Sequence, residues 1–259
     1  MNDMTEGLSP LTREHNACLS DLSPTAFALL RPHLTDLLID TGTRLWEVGR
    51  PAKQVYFPSS GFVTVMLPMS DGSAIEVGSI AREGLAAGSF DEDSNAMTTG
   101  LVHIGGKFSR IAIAHLLAAA ATNDEIAQLV AANRDWVMRQ AQQLVACTAL
   151  HSAEQRFCRW LLSCHQRMET ATLPSTQEQI AALLGIRRTT VTLIAQTLHE
   201  KGIIDYRRGK ITIVDPAKLE AAACECCSKL GERHWPARHL PATVASRPEL
   251  ATASAARDR

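Results

Sequence analysis

The chain has 259 residues, with 26 Lys and Arg against 27 Asp and Glu and a formal net charge of -1. Apolar residues make up 46% and charged residues 20% of it, which is typical of a globular protein and excludes a disordered chain, a collagen and a disulfide miniprotein. The length is sufficient for one large domain or two small ones. Taken over the whole chain, the charge balance argues against a strongly basic nucleic-acid binder.

The charges are unevenly distributed along the chain. Residues 1–122 carry 8 basic and 13 acidic side chains, whereas residues 150–220 carry 10 basic and 7 acidic ones. Such an asymmetry between halves indicates two modules with different partners.

The sequence contains no predicted membrane or export segment. Its densest apolar stretch, 111–121, is interrupted by His115 and falls short of the ~20 residues that a transmembrane helix needs. The opening MNDMTEGLSP lacks the basic and apolar regions of a signal peptide. Seven irregularly spaced cysteines fit reduced thiols better than an extracellular disulfide framework. We therefore expect a cytoplasmic protein without a membrane partner.

The first third of the chain predicts short helices followed by a β module. Ser23-Pro24 is typical of a helix start, because serine caps and proline fits the first helical position. Between 41 and 113, glycines separate short apolar runs, and Asp71-Gly72 between two runs predicts a hairpin. This spacing predicts a small antiparallel barrel or jelly roll, with a β module that binds no ligand as the alternative. The runs are Gln54–Pro58, Phe62–Pro68, Ala74–Ile80, 101–104 and 108–113.

A helical region follows. Val130, Val137 and Leu144 are seven residues apart, as in a seam between two helices, although Asn133 and Gln140 interrupt the pattern. The same spacing fits a helix packed on its own β domain, and only the motif that follows favours a dimer seam. A second amphipathic helix is predicted over 151–169, followed by a break at 170–174.

Residues 175–215 predict two helices joined by a tight turn. Ser175 or Thr176 caps the first helix, and Glu178 or Gln179 completes a capping box. Gly185 permits the turn, because glycine adopts positive φ freely.

The second helix is predicted from about 187 to 200, and the short strands 203–204 and 211–214 flank a charged tip. Helix, turn, helix and basic hairpin in this order predict a winged helix-turn-helix.

The chemistry of this region fits double-stranded DNA. A recognition helix places its N-terminal residues at base edges in the major groove, where arginine reads guanine and threonine offers a hydroxyl or a methyl group. Residues 185–212 carry six basic and two acidic side chains. The alternative is a helical hairpin with a solvated basic face. The candidate DNA-binding residues are Thr176, Gln177, Arg187, Arg188, Thr189, Thr190, Thr192, Gln196, Arg207, Arg208 and Lys210.

Two stretches together resemble the Crp/Fnr superfamily of bacterial transcription regulators. They are QEQIAALLGIRRTTVTLIAQTLHEKGIIDYRRGKITI near the C-terminus and GTRLWEVGRPAKQVYFPSSGFVTVM near the N-terminus, the second resembling the opening of the cyclic-nucleotide-binding fold. The resemblance covers about residues 20 to 220. It implies a homodimer that places two recognition helices on a palindromic site, and RNA polymerase as a partner.

The resemblance also assigns roles to single residues. Thr176 and Thr190 match phosphate-contact positions, and Arg188 matches an arginine that reads guanine. Thr189 stands where many members have glutamate, and Leu193 where members that respond to cyclic AMP have a second arginine. We therefore do not expect the commonest half-site of the family.

The region that matches the nucleotide pocket lacks the expected anion-binding groups. Nucleotide-binding members use a Gly-Glu pair and a later Arg-Ser/Thr pair, but Gly88 is followed by Ser89, and no arginine lies between Arg82 and Arg110. Residues 91–93 are three carboxylates that would repel a phosphate. We expect no cyclic nucleotide here, although a small effector could use Gly88, Ser89, Thr98 and Thr99.

No cofactor is predicted. Cys18 is the only cysteine in the N-terminal half, so an iron–sulfur cluster cannot form there. A haem ligand could come from His33, His103 or His115, although each is more often an ordinary surface or core histidine.

The other six cysteines form two groups. Cys147, Cys158 and Cys164 are predicted to be core residues. Three thiols at Cys224, Cys226 and Cys227 could ligate a metal or respond to oxidation, but they lack the paired CxxC of a zinc site. We therefore predict a structural role and no metal, with metal binding or redox sensing as the alternative.

These features predict an α+β chain with an N-terminal β jelly roll of cyclic-nucleotide-binding type, a long dimerisation helix and a C-terminal winged helix-turn-helix. The predicted function is sequence-specific transcription regulation without control by cyclic AMP. The alternatives are a constitutive or redox-responsive DNA binder, and a protein-interaction module of winged-helix shape. An enzyme is not expected, because no nucleophile motif, phosphate loop or paired metal ligands occur.

The predicted parts are a flexible N-terminus (1–16), a sensor domain (17–121), a dimerisation helix (122–149), a DNA-binding domain (150–222) and a mostly disordered tail (223–259).

Overall fold

The computed structural model describes residues 15–168 and 170–231, and it has the predicted α+β architecture: a β module, a long helix and a winged helix-turn-helix. The strands are β1 Thr35–Ile39, β2 Arg44–Trp46, β3 Gln54–Pro58, β4 Phe62–Pro68, β5 Ala74–Ile80, β6 Ala86–Ala87, β7 Thr99–Ile104, β8 Gly106–Ala112, β9 Thr172–Pro174, β10 Ile204–Arg207 and β11 Lys210–Ile213. The helices are α1 Ala17–Ser20, α2 Pro24–Leu30, α3 Ile113–Thr122, α4 Asp124–Leu150, α5 Ala153–Met168, α6 Gln177–Leu184, α7 Arg188–Glu200, α8 Pro216–Ala222 and α9 Cys226–Gly231. Among the described residues, no helix is both long and apolar enough to cross a membrane.

The β module is a jelly roll of two four-stranded antiparallel sheets. The strand orders are β1-β8-β3-β6 and β2-β7-β4-β5. Phe108 is fully buried and lies against Gly61, where any side chain would collide with its ring. The two sheets therefore close around large apolar side chains, and glycine is required where the backbone passes close to them.

The β4–β5 hairpin forms as predicted. Gly72 has φ +84°, and the Asp71 carboxylate accepts hydrogen bonds from the backbone N–H and the hydroxyl of Ser73, at 2.9 and 2.6 Å. Three predicted runs coincide with β3, β4 and β5. The prediction of only short helices before residue 40 missed β1, because TDLLI lacks the alternation of a half-buried strand.

The end of the segment predicted to be flexible, 1–16, is packed into the molecule. The Asn16 side chain caps α1 and donates hydrogen bonds to the carbonyls of Pro58 and Gly84, at 2.8 and 2.9 Å. Only 2% of Asn16 is exposed, so the prediction is wrong for this residue. The reason is that its amide bonds three separate backbone groups. Residues 1–14 lie outside the described residues.

Helix α4 presents one face to its own β module. Asn133 pairs with both backbone groups of Leu85 at 3.1 Å, and Gln140 accepts from the Ser79 N–H at 3.1 Å. Val130 and Leu144 lie on this buried face, so the predicted Val130–Val137–Leu144 seam is wrong. The two amides that interrupted the apolar pattern are the groups that fix this face on the β module.

The opposite face of α4 carries a second seven-residue repeat. Ala131, Met138 and Val145 are all exposed, and the exposed fractions of Met138 and Val145 are 60% and 72%. The described chain therefore contains an apolar stripe on α4 that faces away from the β module. We call Ala131, Met138 and Val145 the α4 stripe.

Helix α5 connects the β module to the winged helix-turn-helix. Trp160, Leu161 and Phe157 are buried in a core that includes Phe62 of β4 and Ile180 of α6. Arg159 lies 3.6 Å from Glu76, and Arg167 donates to the hydroxyl and carbonyl of Ser79 at 2.7 and 2.8 Å and also pairs with Glu83. The two modules thus share an interface with apolar and charged parts.

The described part of the segment predicted as a tail, 223–259, is also packed. Helix α8, just before it, begins with Pro216 and an Asp215 cap, and α9 contacts α4 and α5. Cys224, Cys226 and Cys227 are buried, because this segment folds back over α4 and α5. Residues 223–229 of the tail predicted to be mostly disordered are therefore ordered, and the prediction stays untested for residues 232–259, which lie outside the described residues.

His103 on β7 contributes a buried polar contact between the modules. Its Nε2 lies 3.1 Å from the Ser175 hydroxyl, which precedes α6. Burial lowers the pKa of His103 to about 4. The imidazole is therefore neutral at physiological pH.

We expect the free energy of unfolding to decrease as the pH falls from 6.5, the pKa of an ordinary histidine, to about 4. Over this window the unfolded chain binds a proton that buried His103 does not, which favours unfolding by at most about 3 kcal/mol. His103→Gln retains a polar partner for Ser175 but cannot titrate, so it should lose less stability in urea unfolding over the same window. Identical pH dependence in both proteins would contradict this assignment.

Candidate nucleic-acid interface

Helix α6 begins at the capping box that the sequence predicted. The Thr176 hydroxyl accepts from the Gln179 N–H at 3.2 Å, and the Gln179 side chain accepts from the Thr176 N–H at 2.8 Å. Gly185 ends the helix in the left-handed conformation, with φ +62°. This turn sets the direction in which the next helix leaves.

Helix α7 has a buried apolar face and an exposed polar face. Val191, Ile194 and Leu198 pack in the core. Arg187 is the N-cap residue and leaves the first N–H groups without a side-chain cap. Arg187, Arg188, Thr189, Thr192, Leu193 and Gln196 are exposed, and Thr190 is half-buried.

Two contacts hold α6, α7 and the wing as one surface. The Thr192 hydroxyl donates to the Oε1 atom of the Gln177 side chain at 2.7 Å, which ties α7 to the start of α6. A Cβ at Gly209 would lie 3.5 Å from the Thr176 methyl group, so the wing tip approaches the cap of α6. The predicted residues on these three elements therefore lie near one another.

The wing is the β10–β11 hairpin, joined by β9 as a third antiparallel strand. Its turn places Arg208 at φ 49° and Gly209 at φ 75°. The interpretation of 170–174 as a simple break missed β9, a three-residue edge strand. Arg207, Arg208 and Lys210 are exposed around the turn.

Two basic side chains of this surface pair with acidic side chains, one exposed and one half-buried. Arg188 lies 3.6 Å from Glu178, and Arg207 lies 3.0 Å from Asp205. Exposed pairs contribute only about 0–1 kcal/mol, so an anion of higher charge can replace the carboxylates. The side chains of Arg188 and Arg207 are 67% and 83% exposed.

Three of the four predicted effector residues, Gly88, Ser89 and Thr98, are engaged by groups of the described β module. Trp46 is buried against Gly88 and Gly100, where any Cβ would collide with its indole ring. The indole N–H donates to the Thr98 hydroxyl at 3.2 Å. Ser89 bonds to the backbone of Asp91 within its own turn.

A cleft of about 490 Å³ lies in the same β module. Of the four predicted effector residues only Thr99 lines it, and the Thr99 hydroxyl accepts from the Val48 N–H at 3.2 Å. Arg44 and Arg50 both bond Glu47 there at 3.0 Å, and these interactions, with the Arg44 hydrogen bond foremost, lower the pKa of Glu47. The three-residue spacing of RLWEVGR was the sequence signal for this ion-pair group.

Two of the predicted core cysteines and two of the candidate haem histidines lie elsewhere in the structure. Burial raises the pKa of the Cys158 thiol to about 12 and that of Cys164 still higher, as expected of inert core cysteines. The rings of His33 and His115 stack on each other, with centroids 3.9 Å apart.

Comparisons with known proteins identify the C-terminal part. The Crp-like helix-turn-helix domain model matches residues 155–222. Comparison with curated protein sequences finds no match.

Solved structures identify the fold of the chain. A Crp/Fnr-family protein from Eubacterium rectale superposes with a TM-score of 0.65 at 18% identity, covering 81% of this chain and 98% of that one. FixK2 from Bradyrhizobium japonicum gives 0.63 at 18% identity, with 74% and 98% coverage. The CRP-family regulator TTHB099 from Thermus thermophilus gives 0.62 at 19%, with 72% and 96% coverage. Residues 155–222 are therefore a Crp-like helix-turn-helix domain, and the chain has the fold of the Crp/Fnr transcription regulators.

Proposed function

We propose that the protein is a cytoplasmic, non-enzymatic transcription regulator that binds a palindromic DNA site as a homodimer. The observation that carries this proposal is the exposed N-terminal face of α7, with Arg187, Arg188 and Thr189 beside a basic wing. No apolar contact within the described residues covers this face.

The surface supplies both kinds of DNA contact. Arg188 offers a guanidinium fork to guanine O6 and N7 when α7 enters the major groove. The Thr176 and Thr190 hydroxyls, with the N–H groups at the start of α7, bind phosphates and set the register. Arg207, Arg208 and Lys210 bind the backbone or the minor groove beside it.

The homodimer is supported by the α4 stripe. Met138 and Val145 expose apolar surface on the side of α4 opposite the β module, at the spacing of a helix–helix seam. A parallel pair of α4 helices would bury this stripe and relate two α7 helices by twofold symmetry. A palindromic site follows from that symmetry.

The sensor signal is proposed to be something other than cyclic AMP. Trp46 fills the space between Gly88 and Gly100, and the carboxylates of residues 91–93 are exposed nearby. A signal at the β module would act by changing the balance between two arrangements of the winged domain. RNA polymerase remains the proposed protein partner, from the family resemblance.

Replacing Arg188 by Ala should weaken binding to the cognate site by about 1–3 kcal/mol and relax specificity at one base position, because a bidentate base contact is lost. Selection from a random DNA pool measures the specificity, and titration with the cognate site measures the affinity. Arg31→Ala, an exposed arginine far from the wing, is the matched control and should bind as wild type. Unchanged specificity in the Arg188 variant would contradict the assigned role.

Val145→Glu should convert the dimer to a monomer, because each copy would bury a carboxylate in the seam. Gln128→Glu adds the same charge at an exposed position on α4 outside the stripe and should remain dimeric. Analytical ultracentrifugation over a concentration series distinguishes the two. A Val145→Glu protein that stays dimeric would exclude the α4 stripe as the seam.

Cyclic AMP should not raise the melting temperature of the wild-type protein, because no arginine lies between Arg82 and Arg110, the stretch in which nucleotide-binding members have their phosphate ligand. A ligand present at 100 times its Kd stabilises a protein by about 2.7 kcal/mol, which a thermal-shift assay detects readily. Clear stabilisation by cyclic AMP would overturn this part of the proposal.

A further inference from the structure

Four potential metal ligands meet where the end of α4 contacts the segment after the wing. They are Cys147, His151, Cys224 and Cys226, and their ligand atoms all lie within 4.8 Å of one another. The three cysteines are 1%, 4% and 1% exposed. They form a small buried cluster of their own, separate from the larger apolar cores.

The fold brings these ligands together from two distant segments. Cys147 lies in the last turn of α4, and His151 follows four residues later as the C-cap residue. Cys224 lies between α8 and α9, and Cys226 is the first residue of α9. Each segment therefore supplies two ligands, and Cys147 and Cys224 are 77 positions apart in sequence.

The distances fit a tetrahedral zinc site. Zn–S bonds of about 2.3 Å and Zn–N bonds of about 2.0–2.1 Å place tetrahedral ligands about 3.8 Å apart for two sulfurs and about 3.6 Å apart for sulfur and nitrogen. The Cys147 and Cys224 sulfurs are 3.6 Å apart, and Cys226 Sγ lies 3.5 Å from His151 Nδ1.

The groups around the cluster are also those expected around a zinc site. His151 Nε2 lies 3.2 Å from the Glu225 carboxylate, so a proton on Nε2 leaves the Nδ1 lone pair directed at the cysteines. A carboxylate behind a ligating histidine is the usual outer partner in zinc sites. Gln143 donates to Cys226 Sγ at 3.1 Å, as it would to a thiolate.

The charge of a filled site would also be compensated. Three thiolates and one Zn²⁺ carry a net charge of about -1. Arg159 interacts electrostatically with Cys147 and Cys224. The other buried cysteines of α5 differ, because Cys158 and Cys164 lie in the large apolar core.

We propose that Cys147, His151, Cys224 and Cys226 bind one Zn²⁺ per chain as a closed Cys₃His site. This replaces our expectation that the cysteines hold no metal. Binding releases the three thiol protons to solvent and forms three Zn–S bonds and one Zn–N bond. The metal would join the end of α4 to the C-terminal helices, next to the connection between the two modules.

The test uses the full chain purified under reducing conditions. We expect about one zinc per chain by mass spectrometry of the metal content. We also expect Co²⁺ added to the metal-stripped protein to give thiolate-to-cobalt charge-transfer bands and the intense visible bands of tetrahedral cobalt. Cys226→Ser should abolish both signals. Cys227→Ser is the matched control, since Cys227 is buried in the same helix but contacts Gln166 at 3.6 Å instead of the cluster; it should keep one zinc.

Glu225→Gln covers the case in which the cysteine variant fails to fold. The Glu225 side chain is 74% exposed, so the change leaves the core intact, and losing the outer partner should weaken Zn²⁺ binding about 10–100-fold. Folded wild-type protein that takes up neither Zn²⁺ nor Co²⁺ would overturn the proposal. So would iron and sulfide in place of zinc, or a Cys147–Cys224 disulfide in the reduced preparation. No readout involves DNA, so the result is independent of the proposed function.

Discussion

Two arginines of α5 hold the winged domain against the β module, and the arrangement of the chain depends on them. Arg167 bonds Ser79 and Glu83, and its guanidinium lies 4.9 Å from the centre of the Phe62 ring. Burial alone would raise the pKa of Glu83, but Arg167 outweighs it and lowers that pKa. Burial raises the pKa of Glu76 despite the nearby Arg159. Breaking one buried pair leaves a charge without a partner, which typically costs about 3–5 kcal/mol.

Arg159 also connects this interface to the cysteine cluster. Its guanidinium lies 3.6 Å from Glu76 of β5 and also interacts electrostatically with Cys147 and Cys224. A change in charge at the cluster would therefore alter the electrostatic balance of the contact between the modules. In this way the segment after the wing is coupled to the β module without touching the surface proposed to bind DNA.

Local signals in the sequence predicted the fold well where the structure itself is local. Asp71-Gly72 and the Thr176–Gln179 capping box each act over three or four residues, and both form as predicted. Strand β1 was missed because it pairs with β8, about 70 residues later, and its sequence has no alternation.

The candidate sites also divide into those that local sequence predicts and those that depend on distant parts of the chain. The exposed residues of α7 followed from helical spacing, because one face had to pack and the other did not. The sequence did not predict which face of α4 packs on the β module, because Asn133 and Gln140 gain their partners only in the folded β module. The cysteine–histidine cluster was invisible for a similar reason: no short spacing motif links Cys147 to Cys224.

The side-chain amides of Asn133 and Gln140 restrict the rotation of α4. Turning the helix about its own axis would break three buried hydrogen bonds, two with Leu85 and one with Ser79. At about 1.5 Å per residue, its 27 residues form a stiff rod of about 40 Å that is torsionally locked to the β module. Residues 151–152 are the two-residue joint between α4 and α5, and a rotation of α5 at this joint would also break the bonds of Arg167 with Ser79 and Glu83.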